Sequence, residues 1–332
     1  MVIPAAAPLV PGRAGEPVRV LFIAGLGRSG STLLDRVLGQ VPGCCSIGEA
    51  SQVWKGLLAG TPCGCGRRPQ ECEFWSAVVE AGFGGWQRLD VPAALALQQR
   101  VDRTRYLPRL LAPRAAGRFG RDLAAYAALL GRLYAAVAAV AEARVVIDSG
   151  KHTSTAYLLR HVPGIAPRIV HLVRDSRGVA YSWTKAVKKS DLAGAPEMDR
   201  LPPGRSARGW LVHNLLLQLL PLTGRATHRL RYEDFVAAPE PRVAGLLRFA
   251  GLPADGHRGL FSDARTVDLG RPDHTLAGNP VRFRRGPVPI RADEDWRHRL
   301  PTRDRALVGL LTAPLLLAYG YRLRAGRGPA IN

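Results

Sequence analysis

The chain has 332 residues, 47% of them hydrophobic, which is enough to bury a sizeable core and excludes fibrous, collagen-like and wholly disordered classes. Its charge is strongly basic, with 47 Lys+Arg against 26 Asp+Glu for a net +21. Five of the cations are lysines (55, 151, 185, 188 and 189), which leaves 42 arginines; beside abundant Ala, Gly and Pro, that bias reads as base composition as readily as a polyanion surface, and no zinc-finger spacing or aromatic-interleaved basic helix supports specific nucleic-acid binding.

Residues 1–17 carry Pro4, Pro8, Pro11 and Pro17 and lack a cationic start, so a flexible tail is expected there rather than a signal helix. Val18 to Ala24 is a continuous apolar run of β-formers, followed by the glycine-rich Gly25–Thr32 and a helical pattern from Ser31 to Gln40. A second strand is expected at Cys44 to Ile47. From Gly82 to Glu142 the chain is dominated by Ala, Leu and Arg at helical spacing, which predicts a helical insertion capping the active site. Strand followed by helix returns at Arg144–Asp148 with Thr153–His161, and at Arg168–Val173 with a helix from about Arg177. It returns again at Thr227–Arg231, with a helix near Pro239. Lys188 to Arg205, with Pro196, Pro202 and Pro203, reads as a mobile loop, and Ala306 to Tyr321 as a buried C-terminal helix or helix pair, too short and too interrupted by Pro314 to span a membrane. Continuously apolar strands alternating with helices predict an α/β fold: one three-layer, P-loop-like domain over 18–325 with a central parallel sheet, and a C-terminal tail at 326–332.

The chemistry begins in the first loop. Gly25-Leu-Gly-Arg-Ser-Gly-Ser-Thr32 follows a strand and opens a helix, so its amides converge on an anion at a positively polarised helix N-terminus. Gly25 and Gly30 have the separation found in nucleotide-binding P-loops, but the lysine position holds Ser31, and Arg28 supplies a planar cation instead.

With its strand, FIAGLGRSGSTLL resembles the 5′-phosphosulfate-binding motif of sulfotransferases that use 3′-phosphoadenosine-5′-phosphosulfate (PAPS), and its Arg-Ser-Gly-Ser form is similar to the carbohydrate and protein-tyrosine branch. The resemblance implies cofactor contacts from Gly27, Arg28, Ser29, Gly30, Ser31 and Thr32. Leu172-Val-Arg-Asp-Ser-Arg-Gly-Val-Ala-Tyr-Ser182 resembles the family's 3′-phosphate motif and implies Arg174 and Ser182 as phosphate ligands; two helical turns also put Ser182 on the face of the strand-end arginine. Further likeness covers most of the chain, from about Val18 to Tyr321. Arg231–Glu240 implies an adenine contact by Tyr232. His274 to Arg282 is similar to a Gly-Asn-Pro segment of bacterial members and implies Gly278, Asn279 and Arg282 near the 3′ end.

Glu49 follows the second strand at the sheet edge where α/β active sites lie, and the protein-tyrosine branch carries its catalytic glutamate at this place, which implies Glu49 as general base. His152, after another strand end, is the competing base. Asp148-Ser-Gly-Lys151 resembles a segment whose lysine touches the transferred group, so Lys151 and Arg28 are expected to stabilise negative charge during in-line transfer, with no metal required. The acceptor implied is a hydroxyl of a sugar, glycolipid, peptide or other small molecule.

Two other readings stay open. A P-loop phosphotransferase would use Asp148 as a strand-end magnesium ligand, and a noncatalytic protein would merely hold a polyanion. Cys63, Cys65 and Cys72 lack paired zinc spacing, so ordinary loop thiols or one disulfide, with Cys44 or Cys45 as possible partners, are expected ahead of a metal; the odd count of five points to a reducing cytoplasm.

Overall fold

The computed structural model describes residues 16–112, 117–186, 199–278 and 280–323. β1 (Val18–Ala24) sends Val20, Phe22 and Ala24 into one apolar cluster and Leu21 and Ile23 into another, so a strand with no polar face is buried on both sides. After it come α1 (Ser31–Gly39), β2 (Cys44–Ser46) and α2 (Ala50–Leu58). The helices α3 (Glu73–Phe83), α4 (Val91–Val101), α5 (Leu107–Leu111) and α6 (Gly117–Val140) lead to β3 (Val145–Lys151) and α7 (Thr153–Leu158). Then follow β4 (Ile165–Val173), α8 (Ser176–Thr184), α9 (Pro203–Leu219) and β5 (Thr227–Arg231).

These five strands form a parallel sheet in the order β2-β3-β1-β4-β5. One face carries α2, α3, α4 and α6, the other α1 and two later helices, α10 (Tyr232–Ala237) and α11 (Pro239–Ala250). Because β1 is central and the chain leaves it in both directions, the carboxyl ends of β1, β3 and β4 open a crevice where the strand order reverses.

The helical segment 82–142 is a layer of the fold rather than a cap. Leu123, Tyr126, Leu130, Tyr134 and Val137 of α6 belong to the core cluster shared with β1, and α3 and α4 pack on α6 in turn. An apolar face of that width is consumed by the sheet, so none of the described residues of 82–142 lines the cavity below. α6 is also long and apolar enough to cross a membrane by length and composition, with most of that stretch buried inside the protein.

Other expectations shift in detail. Pro203–Arg205, expected in the loop, begins α9, with Pro203 at a position where its missing N–H costs nothing; residues 188–198 lie outside the described residues. The C-terminal segment is one helix, α13 (Thr302–Ala318), with Pro314 inside it, preceded by the single turn α12 (Trp296–Arg299). A second, antiparallel sheet of β6 (Phe261–Asp263), β7 (Thr266–Leu269) and β8 (Gly286–Pro289) had no readable signal, since strands of three or four residues, one starting Gly-Pro, show no period.

Candidate functional site

A cavity of about 770 Å³ opens at the carboxyl edge of the parallel sheet. The β1–α1 loop forms one wall, the ends of β3 and β4 the floor, and α2 with residues 276–278 the opposite wall. Of the residues singled out in the sequence, Gly27, Arg28, Gly30, Ser31, Thr32, Glu49, Lys151, Arg174, Ser182, Gly278 and Arg282 all line it. Ser29 is buried and does not, and Asn279 lies outside the described residues.

Gly30 shows why the loop needs its composition. Its φ is +89°, and a Cβ there would come within 2.5 Å of the Tyr232 ring. Tyr232 is thus a support under the loop, its ring buried against the cavity residues Gly30 and Arg174. The same ring carries the Arg174 guanidinium at 4.6 Å. Arg174 donates to the Arg28 carbonyl at 3.0 Å and the Asp293 carbonyl at 2.9 Å, and pairs with the Asp293 carboxylate at 3.2 Å. Burial works against ionisation of Asp293, yet Arg174 and then Lys185 beside it hold the carboxyl below its ordinary value. Within Arg174–Ser182 the roles divide: Asp175 caps α8 and grips the buried Arg177 through both carboxylate oxygens, while Arg174 and Ser182 face the cavity.

Arg28 keeps two of its donors open. Its Nε and Nη2 are buried with no hydrogen-bond partner among the described residues, its guanidinium lies 5.0 Å from the Trp183 ring, and burial lowers its pKa. A planar donor in that state, beside loop amides at the N-terminus of α1, fits an anionic oxygen pair. Three non-glycine residues among those described have positive φ, and two of them, Arg28 (73°) and Lys151 (62°), line the cavity. Such conformations cost on the order of 1–3 kcal/mol each and gather at functional sites.

Across the cavity Lys151 donates to Glu49, a buried-edge pair with side chains 16% and 13% exposed. Their backbones are joined by the Ser149 N–H to Gly48 carbonyl bond at 2.7 Å and by one buried side chain. The Asp148 carboxylate, fully buried, accepts from Ala50 N–H at 3.1 Å, Gly150 N–H at 2.7 Å and the Tyr134 hydroxyl at 2.6 Å. Burial pushes its pKa up to about 6 against those three hydrogen bonds. Asp148 is outside the cavity wall and its oxygens are committed, so it does not stand where a magnesium-bearing carboxylate of a phosphotransferase would have to stand.

His152 also lines the cavity, next to His213, whose Nδ1 shares a hydrogen bond with Thr153 at 2.8 Å; burial and then the His152 charge lower the His213 pKa. Trp183, His213 and Asp293, like Gln52, Lys55 and Thr61 on the far wall, carried no sequence signal beyond the adjacency of Trp183 to Ser182. The cysteines are free thiols, one of the two arrangements expected, and none is in a disulfide. Cys44 and Cys45 stay on β2, whereas Cys63, Cys65 and Cys72 are unpaired and converge with His274.

A family profile described as "Sulfotransferase family" matches residues 20–256. The sulfotransferase domain of the Synechococcus PCC 7002 olefin synthase shares the fold, with a TM-score of 0.51 and 20% identity over 96% of this chain and 100% of that one. A sulfotransferase domain from the curacin biosynthetic pathway aligns at 0.45, with 18% identity over 93% and 99% of the two chains, and the sulfotransferase STF9 of Mycobacterium avium at 0.45, with 13% identity over 95% and 78%. No curated protein matches the chain.

The Asp148 knot makes a prediction with a sign. Its pKa in the folded protein, about 6, lies above the unfolded value near 3.8, so its contribution to stability is fullest below about pH 4 and is lost as pH rises through 6. In Asp148→Asn the amide oxygen still accepts both N–H groups and the amide nitrogen donates to Tyr134, so thermal unfolding is expected to show an intact fold lacking this pH-dependent component. Asp148→Ala leaves three buried donors without an acceptor and is expected to cost at least about 3 kcal/mol in denaturant unfolding.

Proposed function

The chain belongs to the sulfotransferase family, and we infer that it moves a sulfonate group from PAPS to a hydroxyl of a sugar, glycolipid, peptide or other small-molecule acceptor. The observation that carries this reading is the pair of open donors, Nε and Nη2, of Arg28 in the glycine-rich loop, facing the same cavity as the Glu49–Lys151 pair. When bound, PAPS supplies an activated sulfonate on a phosphate leaving group.

The residues divide between holding the donor and moving a proton. The amides from Gly27 to Thr32, with Arg28, would hold the 5′ side, where a helix N-terminus and a guanidinium favour negative charge. Arg174 and Ser182 would hold the 3′-phosphate, a dianion that competes with the Asp293 carboxylate for Arg174. Trp183 offers an aromatic face beside them, and Gly278 and Arg282 complete the wall.

Lys151 donates to Glu49 and, with three rotating donors, keeps N–H groups for oxygens that gain charge as the acceptor attacks. Glu49 is the carboxylate placed to take the acceptor's proton. His152, more exposed on the same wall, is the rival base. The far wall is polar where Gln52, Lys55 and Thr61 contribute, which supports a hydroxylated acceptor over a flat phenol. Five unpaired thiols support a cytoplasmic enzyme.

The desulfated donor product PAP is expected to raise Tm in a thermal-shift assay while magnesium ATP does so far less. Equal stabilisation by ATP would argue for phosphoryl chemistry. Arg174→Ala is expected to weaken PAP binding by calorimetry roughly tenfold to a hundredfold, the equivalent of about 1.5–3 kcal/mol for a charged hydrogen bond.

For the chemical step, Glu49→Gln is expected to keep PAP affinity and to lose about 10²–10⁴ in sulfation rate, measured by mass spectrometry over an acceptor panel with PAPS as donor. His152→Ala is expected to keep most of its turnover. The reverse outcome would transfer the base role to the histidine and leave the donor assignment standing.

A further inference from the structure

Away from the cavity, three thiols and one imidazole meet at a point. Cys63 and Cys72 are fully buried, and Cys65 and His274 are half-buried. The ligand atoms of all four lie within 4.8 Å of one another. The Cys65 and Cys72 sulfurs are 3.6 Å apart and those of Cys72 and Cys63 3.8 Å. The His274 Nδ1 atom is 3.5 Å from the Cys63 sulfur and 3.4 Å from that of Cys72.

Those separations are too long for a disulfide, which needs about 2.05 Å, and they match the edges of a coordination tetrahedron. Zinc with Zn–S near 2.3 Å and Zn–N near 2.0–2.1 Å holds its thiolates about 3.8 Å apart and sulfur to nitrogen about 3.5 Å. We propose that Cys63, Cys65, Cys72 and His274 form a structural zinc site, with His274 binding through Nδ1. Zinc fits better than a harder or redox-active ion because three thiolates and an imidazole in tetrahedral array are its preferred set, with all four positions taken by protein. Each coordinating cysteine gives up its proton to solvent as the metal binds.

The surroundings orient this set. The His274 ring stacks on Phe74 at 4.3 Å between centroids, and its carbonyl accepts from the Trp75 indole at 2.8 Å. Gly64, between two of the cysteines, lies so close to Asp273 that a Cβ would fall 1.9 Å from its carboxylate oxygen, and its N–H reaches the Thr275 carbonyl at 2.9 Å. The metal would therefore clamp the loop before α3 to the segment that supplies Leu276, Ala277, Gly278 and Arg282 to the cavity wall. Sequence spacing hid the site because its fourth ligand comes about two hundred residues after the cysteines.

The test is metal content, independent of sulfation. Protein expressed with zinc in the medium and purified without chelator is expected to hold close to one zinc ion per chain by plasma mass spectrometry. A mercurial thiol reagent should release that zinc to a metal-sensitive dye. The cobalt-substituted protein should show the intense d–d bands of a tetrahedral thiolate site. Cys65→Ser and His274→Ala should lose the metal while Cys44→Ser and Cys45→Ser keep it. If the ligand variants fail to fold, the stoichiometry and cobalt spectrum of the unmodified chain decide alone. A zinc-free wild-type protein with all thiols open to alkylation would overturn the assignment. So would a Cys65–Cys72 disulfide in non-reducing peptide mapping, an iron–sulfur absorbance, or zinc lost equally from the Cys44 and Cys45 variants.

Discussion

The buried carboxylate of Asp148 joins elements that lie far apart in the chain. One oxygen takes the N–H at the start of α2 and the N–H of Gly150, and the other takes the Tyr134 hydroxyl from α6. The helical layer, the β2–α2 turn and the end of β3 therefore all meet at this group, alongside the Ser149–Gly48 and Ser51–Gly150 hydrogen bonds, and Glu49 and Lys151 are each one residue from its backbone partners. Burying a carboxylate is costly unless its oxygens are satisfied, and here three donors do so without a balancing cation. The precision of the Glu49–Lys151 pair rests on that arrangement, because side chains on two loops keep a fixed separation only when their backbones are tied.

The opposite wall is built on stacking. Tyr232 supports both Gly30 and Arg174, Trp183 carries Arg28, and Trp296 carries Arg177 at 4.6 Å. Arg36, Arg174, Arg177 and Arg282 are all buried. Part of the arginine excess is thus structural: a guanidinium lies flat on a ring and bonds in its own plane, whereas an ammonium would demand full solvation at the same place. Arg28, with Nε and Nη2 both open at the cavity, differs from Arg174 and Arg177, whose guanidinium groups serve as internal braces; Arg282 bonds two carbonyls and keeps its Nε open on the same wall.

Residues within a motif do not share its function equally. In Arg174–Ser182, Asp175 and Arg177 pair with each other and Arg177 also holds the carbonyls of Arg322 and Leu323, so the motif's centre fastens the C-terminal segment while its ends face the cavity. Tyr232 shows the same division, a motif residue that acts on the loop from behind.

The central sheet was legible because an apolar strand buried on both faces and followed at once by a helix leaves a local pattern, and the β1–α1 loop and Arg174–Ser182 were legible because each is a contiguous run beside such a strand. These local facts determined the α/β class, the carboxyl-edge location of the site and most of its wall. Tertiary structure alone decided that 82–142 covers the sheet rather than the site, that Asp148 is a buried tie, that Asp293 sits against Arg174, and that His274 meets three cysteines. Each of these depends on contacts between residues roughly a hundred or more positions apart, or on which face of a helix finds the sheet first. Periodicity gives a helix its apolar face, but only the packed chain fixes what that face covers, because the free energy of burial is nearly blind to the identity of its partner.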